Sequence, residues 1–457
     1  HEITYKYPGY KDLKVFEKVE IGKDRKLVKA ILTLLPGKIF FQTDPKGASI
    51  LVNEKYVGLS PKKVQVAANT NHNISVFKEG FSSYTSNVSV PSQKTKNIDI
   101  RLLPIFGEVD ISSEPQASIF LNGNYLSETP FKGDLSVLQH EVEIAKKGYR
   151  SFKTFLKPNK NMSSKISTKL LTEEQARYSE AAKTYTTSAK FEMKLFKPNS
   201  IIMGAKRSDP GQRANEVIRN VKLTKPFFLG VHEITNAQYM KFRQTNSKGV
   251  QLIDNQEPVI NLSWNDAALY CNWLSKNEGY QPFYKQKGKK ITGVNFNSHG
   301  YRLPTEAEWA WVSRSSAVKG KRQLRFPWGN KTVVKEYSGN YADESAKASV
   351  SEYIPNYDDG YPGLSSVGSF EPNTKGIYDL GGNVSEWTND YYAITFKDQV
   401  IELNPTGPTI GLGHVVKGSS WKTSSLSKLR YSYRDSLIEP NDETGFRVAR
   451  WLIGKEE

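Results

Sequence analysis

The side chains best suited to redox or soft-metal chemistry are scarce in this chain: 457 residues carry one cysteine and six histidines. Cys271 lies in NDAALYCNWLS, where Ala267, Tyr270, Cys271 and Leu274 recur at i, i+3, i+4 and i+7 and form one apolar helix face. An unpaired cysteine in that setting is expected to act as a small core hydrophobe. One cysteine also excludes internal disulfides. His232, His299 and His414 fall in the C-terminal half, but none stands in a His-x-His or His-x3-His pair that would hold a metal from one element. The segment Trp421–Arg434 has a different character. Lys422, Lys428, Arg430 and Arg434 alternate there with Tyr431 and Tyr433, and Trp421 stands at its edge. Such a basic, aromatic surface suits an acidic peptide or an anionic glycan.

These groups need elements to position them. Thr235 with Gln238 and Thr305 with Glu308 are capping boxes that open the helices TNAQYMKF and TEAEWAWVSR. A third capping box, Thr172 with Gln175, opens an Ala/Glu/Lys-rich stretch that predicts a helical connector over 172–194. Before it the pattern is β and repetitive. HEITYKYPGY, HNISVFKEGF and HEVEIAKKGY begin at His1, His72 and His140, and each places a glycine eight residues on, at Gly9, Gly80 and Gly148. A repeat near 70 residues predicts tandem modules, each a small sandwich of antiparallel strands. The chain opens halfway through one such unit. Asn122-Gly123 and Asn53-Glu54 mark equivalent tight hairpins. With one histidine per unit and no second ligand in register, the recurring histidine is expected to be structural.

Composition narrows the partners. No run of about 18 apolar residues occurs, the longest candidate being AILTLL at 30–35. The net charge is +17, but Lys and Arg are spread along the chain with no helix-turn-helix, zinc or RNP-like motif, so nucleic acid is not the expected partner. A protein or an anionic envelope polymer answers the same electrostatics.

From 195 onward an ordered series of motifs appears: MG (203–204), PFFLGVHEITNAQYMKF (226–242), PVINLSWNDAALYCNWLS (258–275), YRLPTEAEWAWVSR (301–314), FPWGN (326–330), GNYAD (339–343), YDLGGNVSEW (378–387), KGSSW (417–421) and GFRVAR (445–450). This series resembles the formylglycine-generating enzyme (sulfatase-modifying factor) family. The resemblance implies an irregular α+β fold related to C-type lectins. It also implies an oxidase whose two copper-binding cysteines sit five residues apart just after the GGS(Y/W) motif. Here those positions hold Thr423 and Lys428. Neither a hydroxyl nor an ammonium replaces a thiolate on soft copper, so no copper and no oxidase activity are expected. The same resemblance implies structural calcium, with one site at Asn340, Tyr341, Asp359 and Tyr361, the tyrosines through their carbonyls. A second would use Gly381, Gly382, Val384 and Glu386, the last through its side chain. Upstream, Pro45-Lys46-Gly47-Ala48 and Pro115-Gln116-Ala117 resemble PEGA-type repeats, which implies spacer or contact modules of bacterial surfaces.

The domain reading is therefore 1–36, the C-terminal half of a PEGA-like repeat; 37–104 and 105–171, two full repeats; 172–194, a helical connector; and 195–457, a formylglycine-generating-enzyme-like head. The fold class is α+β, small antiparallel β-sandwich repeats followed by an irregular α+β domain. The expected function is noncatalytic binding or scaffolding in the periplasm or at the cell surface, through Trp421, Thr423, Lys428, Arg430 and Arg434, with a membrane anchor upstream of His1. The alternative is a metal-dependent oxidoreductase of the non-heme iron type, drawing on the three head histidines.

Overall fold

The computed structural model describes residues 1–18, 30–243, 256–315, 323–394 and 400–452, and it divides into two compact units, His1–Glu173 and Glu174–Glu457.

In the first unit each full repeat folds into two sheets around its own apolar core. Gly37–Asp44 alternates between buried positions and exposed or half-buried ones. That period of two puts Ile39 and Phe41 inside, against Ile50, Ile74 and Val76. Val109, Ile111, Ile119, Val142 and Ile144 do the same in the next repeat. The four-stranded sheet of each repeat is antiparallel, as the hairpin signals require. The three-stranded sheet is mixed. Its last strand runs parallel to its first, Thr95–Arg101 beside Gly37–Asp44 and Ser164–Lys169 beside Phe106–Glu114. The sandwiches are antiparallel as expected except for this one pairing: the chain returns to the first sheet after crossing the second, so its closing strand enters from the same end as the opening one.

The recurring histidines lock the hairpins. The Asn53 amide nitrogen sits 3.0 Å from His72 Nδ1, while Nε2 of the same ring lies 2.8 Å from the Ala67 carbonyl. Asn122 and His140 repeat the arrangement at 3.2 Å, with His140 Nε2 2.9 Å from the Ser136 carbonyl. A carbonyl can only accept, so Nε2 carries the proton and Nδ1 receives the asparagine N–H. Each asparagine oxygen in turn accepts a backbone N–H, from Asn73 or Glu141. Positive φ at Asn53, Glu54, Asn122 and Gly123 is the geometry of a type I′ turn.

The second unit is mostly short strands and irregular backbone with few helices: α1 (Glu173–Glu180, which straddles the boundary), α2 (Asn236–Met240), α3 (Trp264–Asn277) and α4 (Glu306–Arg314). The helical connector is shorter than the sequence predicts. Beyond α1, Thr184–Thr186 and Glu192–Phe196 are strands of a four-stranded sheet with Phe227–Gly230 and Ala449–Trp451. Burying Met193 and Leu195 there outweighs the helix propensity of the preceding Ala and Lys residues. The capping boxes at α2 and α4 form as the sequence specifies, and Ser263 with Asp266 adds one at α3. Ala267, Tyr270, Cys271 and Leu274 of α3 are fully buried.

Candidate functional site

The residues of interest gather around strand Ser385–Tyr391, an inner strand of the sheet that also holds Asp435–Leu437, His414–Lys417 and Thr444–Gly445. Next to this sheet lies a cleft of about 160 Å³ whose lining includes Ser385, Thr423, Lys428, Asp435, Asn441 and Glu443. The two positions that correspond to paired thiols in the resembled family thus face one concavity. Their chemistry differs from a thiol pair. The Thr423 hydroxyl accepts the Ser420 backbone N–H at 3.0 Å, and the Ser420 hydroxyl donates to Glu443 at 2.7 Å. Lys428 is exposed. The cleft offers hydroxyls, an amide, carboxylates and the Lys428 ammonium: hydrogen-bonding groups, with neither a soft-metal ligand nor an activated nucleophile among the lining residues named.

Cys271 cannot substitute. It is fully buried in α3, and burial pushes its thiol up, away from the reactive thiolate.

The basic surface expected over Trp421–Arg434 is not what forms, and this is the main correction. Arg430 is buried in a bidentate pair with Glu216 at 2.6 and 2.5 Å, both side chains at 0 % exposure, with Ser432 and the Gly211 carbonyl completing its shell. Arg434 is likewise buried, paired with Glu306 at 2.8 and 3.0 Å. Lys422 donates to Asp442 at 2.6 Å and covers the Trp421 ring, whose Nε1 donates to the Asp442 carbonyl. Tyr431 and Tyr433 are buried. A guanidinium can enter the interior when a carboxylate meets it in bidentate geometry, and both arginines have one from far along the chain. Of the five residues assigned to binding, only Thr423 and Lys428 line the cleft. Trp421 is half-buried against Lys422 and Asp442, and Arg430 and Arg434 hold the head together.

Two oxygen-rich loops are candidates for calcium, and they differ. In the first, Asp359 accepts the backbone N–H groups of Tyr341 and Tyr361 at 2.8 and 2.9 Å, one on each oxygen. Asp343 lies beside it and accepts the Asp359 backbone N–H. Asn340 spends its amide nitrogen on the Gly363 carbonyl at 2.8 Å, while its buried Oδ1 has no partner among the described residues. Burial, with the neighbouring Asp343 adding to it against the two backbone hydrogen bonds, raises the Asp359 carboxyl to about 7. A buried carboxylate pair and an orphaned amide oxygen are what a hard cation would satisfy, so these residues fit one. The second loop does not. Glu386 gives both oxygens to Arg447, at 2.6 and 2.7 Å, and accepts from Trp309 Nε1 at 3.0 Å. The charge expected to bind calcium with Gly381, Gly382 and Val384 is already neutralised by an arginine.

The head histidines occupy separate environments. His414 is sandwiched between Trp264 at 3.7 Å and Tyr391 at 4.1 Å, and burial lowers its pKa to about 4. His232 stacks on Tyr378 at 4.6 Å. Among the described residues no group of three His, Cys, Asp or Glu side chains is disposed around a metal. Sequence reasoning misses Glu216, Asp343, Arg314 and Lys417; Asp343, Arg314 and Lys417 stand in the GNYAD, YRLPTEAEWAWVSR and KGSSW motifs, but nothing local marks Glu216.

A family model described as "Sulfatase-modifying factor enzyme 1-like domain" matches residues 178–452, and one described as "PEGA domain" matches 36–105 and 106–174. The chain is similar to the formylglycine-generating enzyme of Mus musculus, 32% identical over 179 residues that cover 39% of this chain and 38% of the mouse protein. It is also similar to the chaperone protein LppX of Paenibacillus barcinonensis, 26% identical over 51% of this chain and 82% of that protein. The chain spans from 37% to 55% of the length of the three formylglycine-generating enzymes it matches from Mus musculus, Bos taurus and Thermomonospora curvata. Among solved structures, Treponema denticola variable protein 1 shares 23% identity over 59% of this chain and 98% of its own, with a TM-score of 0.47.

Proposed function

The chain belongs to the sulfatase-modifying factor enzyme 1-like domain family, and on that premise we propose that it is a noncatalytic binding protein of the bacterial envelope. Its PEGA-like repeats serve as spacer or contact modules, and its head receives a protein or an anionic polymer. The observation that carries this reading is the cleft itself. Thr423 and Lys428 line it where the resembled enzymes carry a thiol pair, and the only cysteine is sealed in α3. The cleft keeps the concavity that would receive a partner while lacking the ligands that would hold copper. Lys428 is the residue on which a partner's carboxylate or phosphate would land, with Thr423, Asn441 and Ser436 as neutral hydrogen-bonding groups around it and Asp435 and Glu443 of the same lining left to meet the partner's donors. The similarity to a protein named as a chaperone, which this chain matches over most of that protein's length, supports a role in handling another protein. A periplasmic or surface location accords with the PEGA-like repeats and is a component of the same proposal.

Calcium at Asn340, Tyr341, Asp359 and Tyr361 belongs to this reading as a structural element. When bound, it supplies positive charge to a buried carboxylate pair; Asn340 and Asp359 would hold it with their side chains, and the tyrosines with their carbonyls.

The test is incubation of the full chain with Cu(I), oxygen and a cysteine-containing sulfatase peptide, read by mass spectrometry. No conversion of the peptide cysteine to formylglycine is expected. Turnover to the aldehyde overturns the noncatalytic reading.

A further inference from the structure

A second cavity of the head, with a lining distinct from that of the cleft, concentrates positive charge. It is about 10 Å³, room for roughly one water-sized occupant, and its lining includes Arg219, Glu306, Arg314, Lys417 and Arg434. Four of these groups are cations and one is an anion. Glu306 serves Arg434 directly and Arg219 at 3.6 Å, and Arg219 also reaches Glu402 at 3.0 Å. The neighbouring Arg430–Glu216 pair neutralises itself. Two cations are left over. Lys417, 2 % exposed, donates to the carbonyls of Tyr431 and Tyr433 and makes no ion pair among the described residues, Glu306 and Glu216 acting on it only from a distance. Arg314, at the end of α4, makes no ion pair and no side-chain hydrogen bond among the described residues, and its Nε is buried without a partner. Burial, partly offset by Glu216 and Asp209, lowers the Arg314 guanidinium to about 10; burial lowers the Lys417 ammonium to about 7, with Glu306 opposing it and Arg434 and Arg314 adding to it.

Lys417 is buried and Arg314 partly so, with its Nε sealed; cations that share a cavity and form no ion pair of their own are costly unless something neutralises them. Room for about one small occupant suits a monatomic anion better than a carboxylate, phosphate or sulfate. We propose that it binds a single monatomic anion, chloride under ordinary conditions, with Arg314 and Lys417 as its cationic ligands. The site lies beneath strand-borne residues next to the cleft, since Lys417 ends the strand His414–Lys417 whose Val416 lines the cleft. The anion would therefore set the position of that strand end as well as the charge balance behind it.

The test compares melting of the full chain in sodium chloride and in sodium gluconate at equal ionic strength, gluconate being too large to enter. A higher melting temperature in chloride is expected. Arg314→Gln should abolish the difference, and because Arg314 has no partner to orphan among the described residues, that variant should keep the wild-type circular dichroism. Crystals soaked in bromide should show anomalous scattering between Arg314 and Lys417. Equal melting of wild type in the two salts, a chloride effect that survives in Arg314→Gln, or bromide-soaked crystals with no peak at this cavity each overturn the proposal and leave a cavity that holds water alone.

Discussion

Replacing Arg430 separates an arginine that anchors the fold from one that meets a partner. In Arg430→Met the methionine fills much of the volume, but the Glu216 carboxylate stays at 0 % exposure with both bidentate bonds gone. Removing one member of a buried, hydrogen-bonded pair costs about 3–5 kcal/mol, because the other is left charged and desolvated. For a unit of this size, roughly 2–4 °C of melting temperature corresponds to each kcal/mol, so a fall of about 6–20 °C is expected. The double variant Glu216→Leu/Arg430→Met removes both charges and should recover most of the loss, since apolar replacement of an intact buried pair is often close to neutral. All eight tryptophans lie in the second unit, so tryptophan fluorescence reports this transition without interference from the repeats. The reasoning fails if Arg430→Met melts within about 1 °C of wild type, the surface-residue range. It also fails if the double variant is no more stable than the single one.

Two further outcomes follow from the loops and the repeats. Without a cation, the folded Asp359 carboxyl keeps its proton up to about 7, whereas an unperturbed aspartate gives it up near 3.8, so the head should lose stability in EGTA as pH rises through that window. Calcium should remove the loss, adding about 2.7 kcal/mol at a hundredfold excess over its dissociation constant. Asp359→Asn should flatten the pH slope and abolish the calcium response, and identical melting curves for wild type in EGTA and calcium between pH 4 and 7 would refute the site. In the repeats, His140→Ala leaves the Asn122 amide and the Ser136 carbonyl without their ring partner, at a cost of roughly 1–3 kcal/mol. Hydrogen exchange at 140–145 should quicken by a factor of at least about five, while exchange at 72–77, in the other repeat, stays unchanged; equal acceleration in both repeats would show that they do not hold separate cores.

What the sequence discloses and what it hides divide by range. The capping boxes at Thr235 and Thr305, the apolar face of α3 and the Asn122-Gly123 hairpin depend on residues within a few positions of each other, and all appear as read. The ordered motifs disclose the family of the head for a related reason: each is a local segment. Arg430 and Arg434 look like surface cations in sequence because their partners, Glu216 and Glu306, lie 214 and 128 residues away, and no local pattern tells a buried guanidinium from a solvated one. Asp359 and Glu386 look equally suitable as oxygen ligands in sequence, yet among the described residues Glu386 is committed to Arg447 while Asp359 meets only backbone N–H groups and the neighbouring Asp343. The stretch after α1 reads as helix on composition alone, yet Glu192–Phe196 pairs with Phe227–Gly230, a contact that propensity cannot see.

The parallel pairing that closes each repeat has a mechanical consequence. Gly37–Asp44 opens its repeat and Thr95–Arg101 ends it, and the two lie side by side running the same way. Tension along the chain pulls the opening strand backward and the closing strand forward, so it slides one past the other. All the hydrogen bonds between them are then strained at once, whereas in a hairpin pulled from its open end they would break in succession. Phe106–Glu114 with Ser164–Lys169 repeats the arrangement. A chain strung from such modules is expected to resist stretching well beyond what its equilibrium stability alone would suggest.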